Sequence, residues 1–135
     1  MTAGTHTTRV RVRYAETDQQ GVAHHAQYFV WMEAGRVALL RDLGFPYDRV
    51  EAEGTMFPVV EASCRYMSPV RFEEEVEVET RCRSVRSRGV VFDYDFRVGG
   101  RLVATGSTSL LALGKDRRPV RIPEALARAL DRGTL

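Results

Sequence analysis

Tyr28-Phe29-Val30-Trp31-Met32-Glu33-Ala34-Gly35-Arg36-Val37-Ala38-Leu39-Leu40-Arg41-Asp42-Leu43 is the stretch whose reading decides the fold. Phe29, Met32, Arg36/Val37, Leu40 and Leu43/Gly44 follow three-to-four spacing, and Tyr28, Val30, Trp31, Ala34, Ala38 and Leu39 widen the apolar surface. A helix apolar nearly all round is expected to be buried rather than to lie on a surface. If it starts near His24 and ends at Leu43 it is about 30 Å long. Gly44 is a suitable stop, reinforced by Pro46.

Working outward, Thr8 to Tyr14 alternates strictly, with Val10, Val12 and Tyr14 on one face and arginines on the other, which predicts a strand. Beyond the helix, Tyr47 to Thr55 reads as a polar connector with a short helical turn. Phe57 to Tyr66, Glu73 to Val85, Val90 to Val98 and Arg101 to Leu113 then read as strands. Gly99-Gly100 is a two-residue hairpin turn, and Pro123 opens a short C-terminal helix, Glu124 to Leu130. One long helix followed by a meander has one economical arrangement: an α+β fold in which a curved antiparallel sheet of about five strands wraps round the helix. Such a layer leaves open edges, so pairing with a second copy is expected.

The 135 residues suit a single domain, residues 1–135, with a core that needs no metal or disulfide support. Apolar residues at 44% and charged residues at 28% argue against a disordered chain. A net charge of +2 without a basic stripe argues against a nucleic-acid partner. Cys64 and Cys82 lack metal or redox spacing and read as reduced thiols in strands. With no signal-peptide core in Met1 to Arg9 and no apolar run near the roughly 20 residues of a membrane helix, the expectation is a cytoplasmic protein without membrane insertion.

Between the first strand and the helix, Tyr14 to Tyr28 holds the residues with chemistry. Asp18 and Gly21 fall in a loop that delivers the backbone to a helix start, where free N–H groups and the positive end of the dipole are available. By itself Asp18 favours a turn or a cap over catalysis, since most loop aspartates form turns. The functional alternative is a carboxylate aimed at a carbonyl that the helix amides polarise, with Gly21 letting the backbone come close. Adjacent His24 and His25 point about 100° apart on a helix and do not make the i, i+4 pair of a helical metal site. Glu33 within the apolar run needs a partner, and Arg36 or a neighbouring strand is expected to supply it.

Tyr14-x-Glu16-Thr17-Asp18-x-x-Gly21-Val22-x-x-His25-Ala26-x-Tyr28, followed by an apolar helix with Glu33 and Arg36, resembles the hot-dog fold acyl-CoA thioesterases. It is most similar to the 4-hydroxybenzoyl-CoA thioesterase family and its Tol–Pal-associated branch. Tyr66-x-Ser68-Pro69-Val70-x-Phe72 resembles that family's strand break, and Arg118-Pro119-x-Arg121-Ile122-Pro123 its entry to the last helix, so the likeness covers about residues 7–131. The resemblance implies hydrolysis of acyl-CoA thioesters with no cofactor and no metal. It implies that Asp18 acts as nucleophile or general base, that the backbone N–H of His25 polarises the thioester carbonyl, and that Gly21 and Val22 form the turn passing the thioester. Gln19-Gln20 and His24 depart from the family's usual residues, which bears on acyl specificity.

A thiolate leaves readily, so one carboxylate and an oxyanion site suffice for that reaction. Arg86, Arg88, Lys115, Arg117 and Arg118 are candidate partners for the coenzyme A phosphates, although each is equally explained as solvated surface. Tyr28, Trp31, Phe57 and Val59 are candidate walls for the acyl group, between the helix start and a neighbouring subunit, and each is also explained as core. The expected assembly is a homodimer or a homotetramer built as a dimer of dimers. Two other readings fit these residues: a hot-dog hydratase or dehydratase using Asp18 with His25, and a non-catalytic acyl-CoA-binding module.

Overall fold

The computed structural model describes residues 5–131. In chain order the elements are β1 (Thr5–Arg11), a short 3-10 turn (Tyr14–Glu16), α1 (Gln27–Asp42), α2 (Tyr47–Ala52), β2 (Val59–Tyr66), β3 (Glu75–Val85), β4 (Gly89–Val98), β5 (Arg101–Leu111) and α3 (Glu124–Asp131). The five strands form one antiparallel sheet in the order β1-β3-β4-β5-β2. The α+β arrangement expected from the sequence, one long helix against a five-stranded antiparallel sheet, is the one observed.

Strand alternation sets the two faces of the sheet. Val76, Val78, Thr80 and Cys82 of β3 and Val90, Phe92, Tyr94 and Phe96 of β4 are buried, and α1 packs on β1 and β3. On the opposite face the arginines are paired across strands: Arg9 with Glu77 at 3.1 Å, Arg81 with Asp95 at 3.4 Å and Arg83 with Asp93 at 2.9 Å. Leu126 and Leu130 of α3 complete the core over β3. Gly99 and Gly100 both have positive φ, as a two-residue primed turn requires.

Three local expectations shift. β1 ends at Arg11, and Tyr14 is 78% exposed rather than sharing the buried face of Val12. The 3-10 turn rotates the chain there, because the Glu16 carboxylate accepts the Arg13 N–H at 2.8 Å. Next, α1 starts at Gln27, not near His24, and its 16 residues span about 24 Å. His24 is held outside the helix, its N–H donating to Glu16 O and its carbonyl accepting from Gln27 N–H. Last, α1 is not buried all round: Val30 is 53% exposed and the Glu33 side chain faces solvent, so Glu33 carries no burial cost. The helix stops as expected at Gly44 (φ 93°), where Gly44 N–H donates to Arg41 O and Phe45 N–H to Leu40 O, a Schellman ending.

Candidate active site

The loop between β1 and α1 is held by three backbone bonds. Asp18 N–H donates to Val22 O, Gly21 N–H donates to Asp18 O, and Ala23 N–H donates to Val70 O at 2.7 Å, which ties the loop to the segment before β3. Gly21 has φ 79°, and a Cβ there would meet nothing within 4 Å. Its glycine therefore serves the left-handed turn rather than a close approach within the chain. One oxygen of Asp18, Oδ1, accepts the Gln20 N–H at 2.9 Å; the other accepts nothing among the described residues. Asp18 thus forms a turn, as its type suggests, but does not cap α1, whose N-cap is Ala26 without any side-chain cap.

Beneath the loop, Glu16 is 5% exposed and both its oxygens are used. Oε1 accepts from Arg13 N–H, and Oε2 accepts from the Trp31 indole N–H at 3.2 Å. Trp31, expected as a wall of the acyl site, is instead 2% exposed in the core, against Tyr28 and Phe96. It anchors the loop to α1. On the other side, the Tyr66 hydroxyl at the end of β2 donates to His25 O at 2.8 Å. The N–H of His25 donates to no acceptor among the described residues, at a helix start with no acidic residue in its first turn. In the sequence Glu16 and Tyr66 appear only within the motifs that carry the resemblance, with no role of their own. A glutamate in a polar loop and a tyrosine at a strand end carry no signal of their partners until the fold joins them.

Asp18, Val22, Ala23, His25, Tyr28, Tyr66, Met67, Ser68 and Pro69 border one hollow of about 310 Å³. Burial pushes the Tyr28 phenol up to about 12, with the neighbouring Cys64 and Glu74 adding to the shift. Partial desolvation also raises Tyr66, and the neighbouring Cys64 and Tyr28 add to the shift. Both phenols are neutral around neutral pH, so Tyr66 remains a donor to the helix entry. The His24 and His25 rings are tilted by 53° with centroids 4.3 Å apart, and no group of three metal-ligating side chains occurs among the described residues.

The other candidate residues lie elsewhere. Phe57 and Val59 line a second cavity, of about 370 Å³, between α1, α3 and the sheet. Arg86 and Arg88 flank the turn from β3 to β4, whose backbone bonds to Ala112 and Ile122; Lys115 and Arg117 stand in the turn after β5, and Lys115 lies against Gly54. Along β5, Ala104 pairs with Tyr66 beside the Asp18 hollow, while Leu110 pairs with Val59. Those positions are six residues apart, about 20 Å. Within one chain, the carboxylate end and the cationic end are therefore at opposite ends of the sheet.

Comparison with known proteins adds to this geometry. A family model described as Thioesterase superfamily matches residues 20–109. A Bacillus subtilis protein provisionally named acyl-CoA thioesterase YneP is 36% identical over 118 residues, 86% of each chain. A crystal structure of a hypothetical protein from Thermus thermophilus, TT1821, superposes with TM-score 0.90 at 49% identity, covering 93% of this chain and 96% of that one. A DHNA-CoA thioesterase from Staphylococcus aureus superposes with TM-score 0.84 at 33% identity, over 87% of this chain and 80% of its own.

Proposed function

The chain belongs to the thioesterase superfamily, and from that membership we propose that it hydrolyses acyl-CoA thioesters at the Asp18 hollow. The observation that carries the reading is the meeting of two groups in one hollow that have no hydrogen-bond partner among the described residues: the second carboxylate oxygen of Asp18 and the helix-entry N–H of His25.

The N–H of His25, at the positive end of the helix dipole, polarises the thioester carbonyl and stabilises the oxyanion formed on attack. One such donor contributes roughly 3–4 kcal/mol to the transition state. Asp18 supplies the attack in one of two ways. As nucleophile, its free oxygen bonds to the acyl carbon, the C–S bond breaks, coenzyme A leaves as thiolate, and water hydrolyses the mixed anhydride. As general base, it takes a proton from water, whose oxygen attacks the same carbon and expels the same thiolate. Tyr66 and Glu16 touch no reacting atom in either route; they position the helix entry and the loop.

The active unit in this proposal is a homodimer joined through β2. That strand is a sheet edge, and Val59, Val60, Tyr66 and Met67 at or beside it are 42%, 62%, 44% and 47% exposed. Two copies of β2 related by a two-fold axis run antiparallel, which sets the Val59 end of one beside the Tyr66 end of the other. The cavity bordered by Phe57 and Val59, and the cations Arg86, Arg88, Lys115 and Arg117, then lie beside the partner's Asp18 hollow. That arrangement reunites the two ends that a single chain keeps apart.

Asp18→Asn tests the chemistry. The variant keeps the Gln20 N–H bond through its side-chain carbonyl and should fold with an unchanged melting temperature. It should lose at least a hundredfold in thiol release from acyl-CoA, about the effect of removing a positioned acid–base or nucleophilic group. Turnover near wild type on every member of an acyl-CoA panel would refute the role.

A further inference from the structure

The cavity between α1, α3 and the sheet has apolar walls, among them Val37, Leu40, Phe92, Leu110, Leu126 and Leu130, and is also lined by one cation, Arg36, and one carboxylate, Glu33. The Arg36 side chain is 12% exposed. Its nearest carboxylate, on Glu33, lies 3.9 Å away, beyond hydrogen-bond reach, and that side chain is itself 67% exposed. Tyr94 stands nearby, and the positive charge partly offsets the upward push of burial on its phenol. The Tyr94 hydroxyl already shares a 2.6 Å bond with Thr108. A guanidinium carries five N–H donors in a planar fork, and a desolvated one is stabilised by an anion that can accept two of them. Among the described residues no carboxylate comes within hydrogen-bond distance of it: Glu33 stays at 3.9 Å, and the neutral Tyr94 phenol is its other neighbour.

We propose that this cavity is the chamber for the acyl group, and that Arg36 makes it select acyl groups bearing a second, anionic end. The half-thioester of a dicarboxylic acid is the simplest such substrate. The proposal rests on thioester hydrolysis at Asp18 and on the antiparallel pairing of β2, which sets the part of the cavity lined by Phe57, Pro58 and Val59 beside the partner's hollow. About 370 Å³ lies within the range of small-molecule sites and near its lower limit, so it suits a short chain. An acyl group ending in a methyl would leave the cation with only the longer Glu33 contact and the neutral Tyr94 phenol. One ending in a carboxylate meets the fork in two-point geometry.

Adipoyl-CoA and hexanoyl-CoA have the same chain length and differ in the carboxylate, so thiol release from the two gives the test. The wild-type protein is expected to favour adipoyl-CoA in kcat/KM. Arg36→Met should lower the adipoyl-to-hexanoyl ratio by roughly thirtyfold, the scale of truncating one partner of a buried charge pair. Arg36→Lys should restore part of it. A wild-type preference for hexanoyl-CoA, or a ratio unchanged in Arg36→Met, would overturn the proposal and leave Arg36 a structural partner of Glu33 and Tyr94. Calorimetry with the free acids separates failure of this inference from failure of the hydrolysis reading. If neither thioester is cleaved but adipate binds, hexanoate does not, and Arg36→Met abolishes adipate binding, the chamber stands and the hydrolysis falls. If thioesters are cleaved and adipate binds no better than hexanoate, the chamber falls alone. Should Arg36→Met not fold, the wild-type ratio and Arg36→Lys decide.

Discussion

A carboxylate that is only 5% exposed is tolerated when both oxygens are engaged, and Glu16 meets that condition through Arg13 N–H and the Trp31 indole. These bonds carry no chemistry, yet they decide where Asp18 stands, because the loop leaves the 3-10 turn at Glu16 and returns through His24 N–H to Glu16 O. Glu16→Ala leaves the buried Trp31 indole N–H and the part-buried Arg13 N–H without their acceptor and should destabilise the protein by about 1–3 kcal/mol. Glu16→Gln keeps one good acceptor and should cost about half as much. Urea unfolding measures both, and an alanine variant as stable as wild type would show that the bonds contribute nothing. In sequence, Asp18 could be singled out because an aspartate three residues before a glycine has a local meaning. Glu16 could not, since its value lies in a tryptophan fifteen positions away. Nor could Trp31 be told from a pocket wall, because a helical aromatic looks alike from either side of a core.

Among the elements, α1 shows why its packing, and not its propensity, sets its place. A Cβ on Gly35 would collide with the Thr80 hydroxyl and press on Val78 Cγ1 at 3.3 Å, so the helix lies close against β3 at that glycine. By helix propensity alone Gly35→Ala should stabilise by about 1 kcal/mol. Overpacking opposes this with about 1–3 kcal/mol, so the net change is expected to be neutral or destabilising. In a Thr80→Ala background the collision is gone, together with a buried hydroxyl that has no partner among the described residues. There the same alanine should approach its propensity gain. A double-mutant cycle reads the difference, expected at about 1 kcal/mol or more; equal effects in both backgrounds would remove the close-approach argument. The elements that could be read from sequence are those ended by local chemistry: Gly44 closing α1, Gly99-Gly100 closing the hairpin, and the β3 alternation fixing its buried face. The start of α1 resisted reading because no capping residue marks Ala26; the loop's bonds to Glu16 set it instead.

For the whole molecule, strand order is what a linear reading lacks. β2 precedes β3 in the chain yet pairs with β5, and this places Val59 and Tyr66 at opposite ends of an exposed edge. The candidate residues gathered from sequence as one site are consequently divided between two ends of the sheet, about 20 Å apart along β5. In the proposed dimer a second copy paired through β2 closes the gap, which gives assembly a catalytic consequence that can be measured. Ala62 and Ser63 lie at the middle of β2, where a two-fold axis would bring each close to its own symmetry mate, and both are exposed within one chain. An aspartate at either position faces its own copy across the axis, and like charges directly opposite on paired strands are destabilising. Ser63→Asp should therefore shift the protein from twice the chain mass towards the chain mass in sedimentation as the concentration falls. Its thioester hydrolysis should decline over the same concentration range, while its far-ultraviolet circular dichroism stays that of the folded chain. Wild type sedimenting as a single chain while hydrolysing acyl-CoA at full rate would refute the shared site. Full activity in a monomeric Ser63→Asp would do the same, because the Asp18 hollow would then be complete without the partner's cavity.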